Sequence, residues 1–316
     1  MPGKILITPR SLTQKGHPAL GRFADAGYEV VMSRPGAQPS EKELIALLPG
    51  CVGMLAGVEP ITAAVLEAAV DLRVIARNGV GIDNIDLDAA GRLGIRICPA
   101  MGSNARGVAE LTIGLLLALA RWIPFSDAAL KAGQWERRGG FELEGKTLGL
   151  LGCGRIGRDV ARMAMGMGMR VLAFDPVQDK SFAPDKDFRY ATINEVLSSC
   201  DAISLHCPPP PDGKAMIDAA AIARMKKGVL LVNTARATLV DEQAALEALD
   251  SGQIAGLATD VFASEPPGLT PLVKHSRVVA TPHIGGFTTE SVDRAVTMAV
   301  EMMLDCLKKP TKEKGS

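Results

Sequence analysis

Four histidines are the chain's candidates for proton transfer near neutral pH, and one of them has a setting that suggests it. His283 lies in Ala280-Thr281-Pro282-His283-Ile284-Gly285-Gly286, where an apolar strand ends in a proline and a flexible glycine pair. That is the carboxyl end of a strand, where α/β sheets put their sites. His17 and His275 read as surface loop residues, and His206 closes another apolar run. A second constellation is Gly152-Cys153-Gly154-Arg155-Ile156-Gly157, preceded by the apolar run Thr147–Leu151 and followed by a helical pattern with Val160, Met163, Ala164 and Met167 on one face. This is GxGxxG in its strand–turn–helix setting. Gly152 permits the tight turn, Gly154 lets backbone approach a pyrophosphate, and Gly157 lets helix and strand pack closely, while the helix amino terminus offers N–H groups to the anion. Asp175 ends the next apolar run, 18 residues after Gly157, close to the ~20 at which an acid accepts the ribose hydroxyls. No arginine follows it closely, so NAD is expected rather than its 2′-phosphorylated counterpart. The chemistry is then hydride exchange with a nicotinamide, coupled to proton transfer.

These residues need strands to carry them. Short apolar runs alternate with helical patterns along the whole chain, which implies parallel sheets covered by helices on both faces. In the first block the strand candidates are Lys4–Thr8, Glu29–Met32, Val52–Leu55, Val74–Ala76 and Arg96–Cys98, with helices such as Glu41–Leu48 and Ala63–Ala69. A second block opens at Lys146 and predicts strands at Thr147–Leu151, Arg170–Phe174, Ala202–His206, Val229–Asn233, Gly256–Val261 and Val278–Thr281. Asn104–Trp122 is apolar on all sides, which predicts a helix buried all round, as a core element or at a subunit interface. A polar, glycine-bearing connector follows it. The stretch Thr289–Leu307 is helical again, and the charged end from Lys308 is expected to fray.

Composition removes several classes. Lys plus Arg equals Asp plus Glu at 35 each, so no net field draws the chain to nucleic acid or anionic lipid. Twelve aromatic residues in 316 leave little for base stacking. The six cysteines form no CxxC pair, which argues against zinc and leaves no metal expected. The longest strongly apolar run, Leu111–Ala120, is too short for a membrane span. With no signal-like segment at the start, a cytoplasmic protein with reduced thiols is expected.

Four ordered motifs carry a family resemblance: Gly152–Gly157, Val232-Asn233-Thr234-Ala235-Arg236, Asp260-Val261-Phe262-Ala263-Ser264-Glu265-Pro266 and Thr281–Gly286. They resemble the D-isomer-specific 2-hydroxyacid dehydrogenases over nearly the whole chain, most closely the 3-phosphoglycerate dehydrogenase branch. The spacing strengthens the match, with 29 residues from Arg236 to Glu265 and 18 from Glu265 to His283. The resemblance implies two doubly wound α/β domains. A Rossmann cofactor domain, residues 101–286, would be inserted into a smaller flavodoxin-like substrate domain, residues 1–100 plus 287–316. It implies that Arg236 holds the substrate's carboxylate and carbonyl oxygen, as a guanidinium fork suits. His283 would be the general acid/base, and Glu265 would fix its tautomer and stabilise the imidazolium. Asp260 would orient the nicotinamide carboxamide. Arg155, Ile156, Cys207, Pro208, Thr234, Ala235, Gly285 and Gly286 would complete the NAD site, together with Arg236 and His283. Arg77-Asn78-Gly79-Val80-Gly81 resembles the loop whose backbone N–H groups, from Val80 and Gly81, meet the substrate carboxylate. A homodimer through the cofactor domain is also implied.

The chain departs from that branch at one point. An arginine for the substrate phosphate usually stands a few residues before a Val-Thr pair. Here the pair is Ile61-Thr62 and Ala56 takes the arginine's place, with Glu59 nearby and no Arg or Lys from Glu43 to Leu72. The substrate is therefore either 3-phosphoglycerate-like or a small unphosphorylated acid of the glyoxylate or hydroxypyruvate type. An NAD(H)-sensing protein of the co-repressor kind, without turnover, is the other class of reading. A formate-type dehydrogenase fits less well because Glu265 is present.

Overall fold

The computed structural model describes residues 3–182 and 184–308. By internal contacts the chain forms two compact units, residues 1–104 with 288–316, and residues 105–287. The charged end beyond Lys308 and its expected fraying lie outside the described residues.

In the first unit, strands β1 (Lys4–Ile7), β2 (Glu29–Met32), β3 (Cys51–Ala56), β4 (Val74–Arg77) and β5 (Arg96–Pro99) form a parallel sheet in the order β2-β1-β3-β4-β5. This is the flavodoxin-like winding, whose order reverses between β1 and β3. The helix Thr289–Lys308 packs Val296, Ala299, Val300 and Met303 into the core on one face of this sheet. Gly53 on β3 makes room for it, since a Cβ there would lie 2.7 Å from the Met303 sulfur.

In the second unit, β6 (Thr147–Leu151), β7 (Arg170–Phe174), β8 (Phe188–Tyr190), β9 (Ala202–Leu205), β10 (Val229–Asn233), β11 (Ile254–Thr259) and β12 (Val278–Ala280) form a parallel sheet in the order β12-β11-β10-β9-β6-β7-β8. Both faces are covered, so the strands read as unbroken apolar runs. Alternation divides them between two cores: Leu148, Leu150, Leu230 and Val232 point to one face, Leu151 and Leu231 to the other. The order reverses between β6 and β9. Both sheets are thus doubly wound, as expected.

Three elements differ from the sequence expectation. Strand β8 is an edge strand of three residues with one buried side chain, too short for periodicity to reveal. The helix expected to Trp122 runs Ala105–Ala120, and Trp122 then adopts the left-handed conformation (φ 55°). A second helix, Ile123–Lys131, follows at a bend of 64° where a polar connector was expected. Its proline, Pro124, occupies the first turn, where no N–H is missed. Nor is the first of these helices buried all round. It presses Val108, Thr112, Leu115, Leu116 and Leu119 inward, while Leu117 remains 36% exposed. Among the described residues, no single helix is long and apolar enough to cross a membrane.

Candidate active site

The glycine turn sits at the point where the second sheet reverses its order. Gly152 leaves β6 with φ 101°, a region that disfavours any side chain. A Cβ there would lie 2.5 Å from the His206 carbonyl carbon and oxygen, at the end of β9. Gly157 is equally constrained, because its Cβ would meet the Gly152 carbonyl oxygen at 2.3 Å. Gly154 differs: no protein atom lies within 4 Å of a Cβ built on it. Two glycines are therefore required by the protein's own packing, while the middle one faces open space, as a pyrophosphate-binding turn requires. The helix Arg155–Gly166 begins there with no side-chain cap, so its first N–H groups, from Arg155 and Ile156 onward, are not taken by a capping side chain.

Asp175 follows β7, and its carboxylate orders the turn. Oδ2 accepts from the Cys153 N–H and Oδ1 from the Val177 N–H, each at 2.8 Å. Each oxygen keeps a further lone pair for a ribose hydroxyl. Cys207 and Pro208 follow β9 after His206, and the Cys207 backbone nitrogen lies beside Gly152. The Cys207 sulfur lies 3.9 Å from that of Met216, and burial pushes its thiol pKa up, which makes it a poor nucleophile. His206 has Nε2 2.8 Å from Ser204 Oγ, and its burial pushes the pKa down to about 3. It is neutral at physiological pH and serves as a wall of the turn.

The chemistry-bearing group lies at the carboxyl ends of β10, β11 and β12. His283 Nδ1 lies 2.9 and 2.8 Å from the two carboxylate oxygens of Glu265. Glu265 Oε1 also accepts the Phe262 N–H at 3.2 Å, which fixes the carboxylate to its own loop. With Nδ1 donating to a carboxylate, Nε2 points away from Glu265 and can take or give a proton. His283 has φ 53°, unusual for a residue with a side chain. The turn that holds it there is pinned by Asp260, which is 1% exposed. Asp260 Oδ1 accepts from Thr281 Oγ1 at 2.6 Å and from the Ile284 N–H at 2.8 Å, and Oδ2 accepts the Gly285 N–H at 2.8 Å. Gly286 completes the turn. Sequence reasoning gave Asp260 a contact with the cofactor; in the structure its carboxylate accepts from the His283 turn, and its backbone N–H bonds to the Asn233 carbonyl.

Arg236 follows β10 in a stapled loop. Asn233 Nδ2 donates to the Arg236 carbonyl at 2.9 Å and Asn233 Oδ1 accepts the Ala235 N–H at 3.0 Å, while Arg236 Nη1 donates to the Ala235 carbonyl at 2.8 Å. Thr234 is buried, with its hydroxyl 2.9 Å from that of Thr112. Asn233 and Thr281 were missed as supporting residues. Their signal was position, immediately after or at the end of a strand and within two or three residues of a candidate.

In the first unit, Arg77 ends β4 and its side chain folds back on the loop that follows. Nη1 donates to the Asn78 carbonyl at 2.6 Å, and a Cβ on Gly79 (φ 146°) would lie 2.9 Å from it. Burial lowers the Arg77 pKa, against the raising influence of Glu59 and Asp83. Arg77 Nε and Asn78 Oδ1 are buried without a hydrogen-bond partner among the described residues. Val80 and Gly81 are half-buried at its tip. At the reversal point of this sheet, Glu59 is 1% exposed. Its Oε1 accepts the Gly57 N–H at 2.9 Å and lies in a very short contact with the Thr8 hydroxyl.

Comparison with known proteins agrees with this geometry. Residues 113–285 match the model of the D-isomer specific 2-hydroxyacid dehydrogenase, NAD binding domain. The D-3-phosphoglycerate dehydrogenase of Rattus norvegicus is 40% identical over 287 residues, covering 90% of this chain and 53% of the relative. The chain thus spans about half the length of the curated relatives it matches. A glyoxylate reductase from Paecilomyes thermophila superposes with a TM-score of 0.87 at 26% identity, covering 98% of this chain and 97% of that one. The TT0316 protein from Thermus thermophilus also gives 0.87, at 35% identity over 96% and 97% of the two chains. With the glycine turn, the Glu265–His283 pair and more than half its length inside that family's NAD-binding domain, the chain belongs to the D-isomer-specific 2-hydroxyacid dehydrogenases.

Proposed function

We propose that this protein interconverts a small, unphosphorylated D-2-hydroxy acid and its 2-keto acid. Bound NAD supplies or accepts the hydride. The observation that carries the reading is the His283–Glu265 pair, with both carboxylate oxygens on one ring nitrogen and the ring on a turn held by Asp260. In reduction His283 gives the carbonyl oxygen a proton from Nε2, and Glu265 stabilises the ring while it is charged. Arg236 binds the carboxylate and polarises the carbonyl. The backbone N–H groups of Val80 and Gly81, in the loop after β4, suit a carboxylate, which supports the first unit as the substrate-binding domain. The second holds NAD through Gly152, Gly154, Gly157 and Asp175.

The absence of a phosphate from the substrate is supported by Ala56 and Glu59. Ala56 has no charge where the resembling branch carries an arginine. Glu59 places an internal carboxylate at the reversal point of the first sheet, on the Gly57 N–H an incoming anion would need, and like charges there repel a dianion. NADH oxidation followed against glyoxylate, hydroxypyruvate and 3-phosphohydroxypyruvate tests this. The expected result is kcat/KM at least about tenfold higher for an unphosphorylated acid, equivalent to ~1.4 kcal/mol. Preference for the phosphorylated one overturns the substrate assignment, and tight NADH binding without turnover of any acid overturns the enzymatic one.

Asp175→Ala is expected to weaken NADH about 10- to 100-fold while changing NADPH little, since one charged acceptor is worth ~1.5–3 kcal/mol. Equal NADH affinity in a fluorescence titration contradicts this use of Asp175. Dimerisation through the cofactor domain is part of the same proposal. It is supported by the apolar side chains left exposed on and after the bent helix pair, Leu117, Ile123, Leu130 and Trp135, the last 81% exposed. A cytoplasmic setting is supported by the six free cysteines.

A further inference from the structure

Two thiols meet in the first unit, outside the site described above. Cys98 lies on β5 and is buried, Cys306 lies in the last turn of the helix Thr289–Lys308, and their sulfurs are 3.5 Å apart. Arg96, two residues before Cys98 on the same strand, donates from Nη1 to the Cys306 sulfur at 3.5 Å. This hydrogen bond raises the Arg96 pKa. Among the described residues no other pair of cysteines is so placed. Cys51 donates to the Leu47 carbonyl, Cys153 lies beside Tyr190, Cys207 beside Met216, and Cys200 is fully buried.

We infer that Cys98 and Cys306 form a reversible dithiol–disulfide site, in which Cys306 is the attacking sulfur and Cys98 the resolving one. The assignment of roles follows from access and charge. Cys306 is half-buried, the more accessible of the two, and has the Arg96 guanidinium within hydrogen-bond reach of its sulfur. Cys98 is buried, and burial with its contact to Cys306 pushes its thiol up to about 12, so it holds its proton until the second step. With hydrogen peroxide as oxidant, the Cys306 thiolate attacks one peroxide oxygen, the O–O bond breaks and hydroxide leaves, giving a sulfenic acid. The Cys98 sulfur then displaces hydroxide from that sulfur, and its proton leaves with the hydroxide as water. Two thiols are oxidised to one disulfide and one peroxide is reduced to two waters. Closing from 3.5 Å to the ~2.05 Å of a bond requires about 1.5 Å of approach, within reach of side-chain rotation and a small shift of a final helical turn. The bridge would tie the end of the helix to β5.

The test uses the whole protein treated with hydrogen peroxide, followed by alkylation, denatured thiol counting and peptide mapping. The expected result is loss of two of the six thiols, a cross-linked peptide joining Cys98 to Cys306, and recovery of both by dithiothreitol. Cys98→Ser is expected to stop at a Cys306 sulfenic acid that dimedone traps, and Cys306→Ser to leave Cys98 unmodified. Retention of all six thiols at peroxide levels that oxidise free cysteine overturns the inference, as does cross-linking of any other pair. Equal labelling of Cys98 in the Cys306→Ser protein overturns the assignment of roles.

Discussion

His283→Ala is expected to lower kcat for 2-keto acid reduction by about 10²–10⁴-fold, the usual value of a positioned acid/base, while NADH affinity changes less than threefold. The ring is half-exposed and belongs to no core, so its removal should leave the fold intact. Among the described residues the ring bonds to Glu265, through Nδ1, and the opposite nitrogen is the one placed to exchange a proton with a ligand. Glu265→Gln is the graded companion. An amide keeps one acceptor for Nδ1–H but loses the charge that steadies an imidazolium, so its kcat should fall between wild type and His283→Ala. The two losses should not add in the double variant, because both act on one proton transfer. Stopped-flow reduction with NADH titrated separately by fluorescence measures both quantities. A His283→Ala enzyme that turns over normally would remove the histidine from the chemistry.

The parts of this molecule that sequence reasoning reached are those in which local pattern and burial coincide. Strands β6, β7 and β10 begin and end in the structure where the apolar runs do, because each is covered on both faces and no polar residue interrupts it. The glycine turn was legible for the same reason. Its strand, three glycines and helix are contiguous, so spacing alone states the geometry. Strand β8 was not, having three residues and a position at the sheet edge. The helix Ile123–Lys131 was hidden by its own proline, which is permitted in a first turn but reads as a break. Contacts that span the chain are the other class of miss. The Thr8 hydroxyl reaches Glu59 across 51 positions, and nothing in the local text around Glu59 marks it as buried. From sequence it is a charge in a loop; in the structure its carboxylate accepts the Gly57 N–H at the end of β3.

Asp260 is the clearest instance, and its replacement is the second large effect expected. Its carboxylate's three bonds run to residues 21 to 25 positions onward, so the chain carries no local sign of them. All three donors converge on a carboxylate that is 1% exposed, and they hold the turn in which His283 occupies a left-handed conformation. Such a conformation costs about 1–3 kcal/mol and persists only where its surroundings over-determine it. Asp260→Asn keeps the size but offers one acceptor oxygen and an NH₂ to three donors, so at least one backbone N–H faces another donor. Bonds to a charged acceptor are worth ~1.5–3 kcal/mol each. The variant is therefore expected to be about 2–4 kcal/mol less stable and to lose at least ~10² in kcat, with faster hydrogen exchange at the Ile284 and Gly285 amides. Thr281→Val, which removes a single donor and strands none on the backbone, should show the same pattern at a fraction of the size. A residue whose main task is to hold the nicotinamide carboxamide would behave otherwise. Its asparagine variant would keep stability and exchange protection and lose NADH affinity instead. That outcome would overturn the role drawn here for Asp260, in which it positions His283 by fixing the backbone on either side of it.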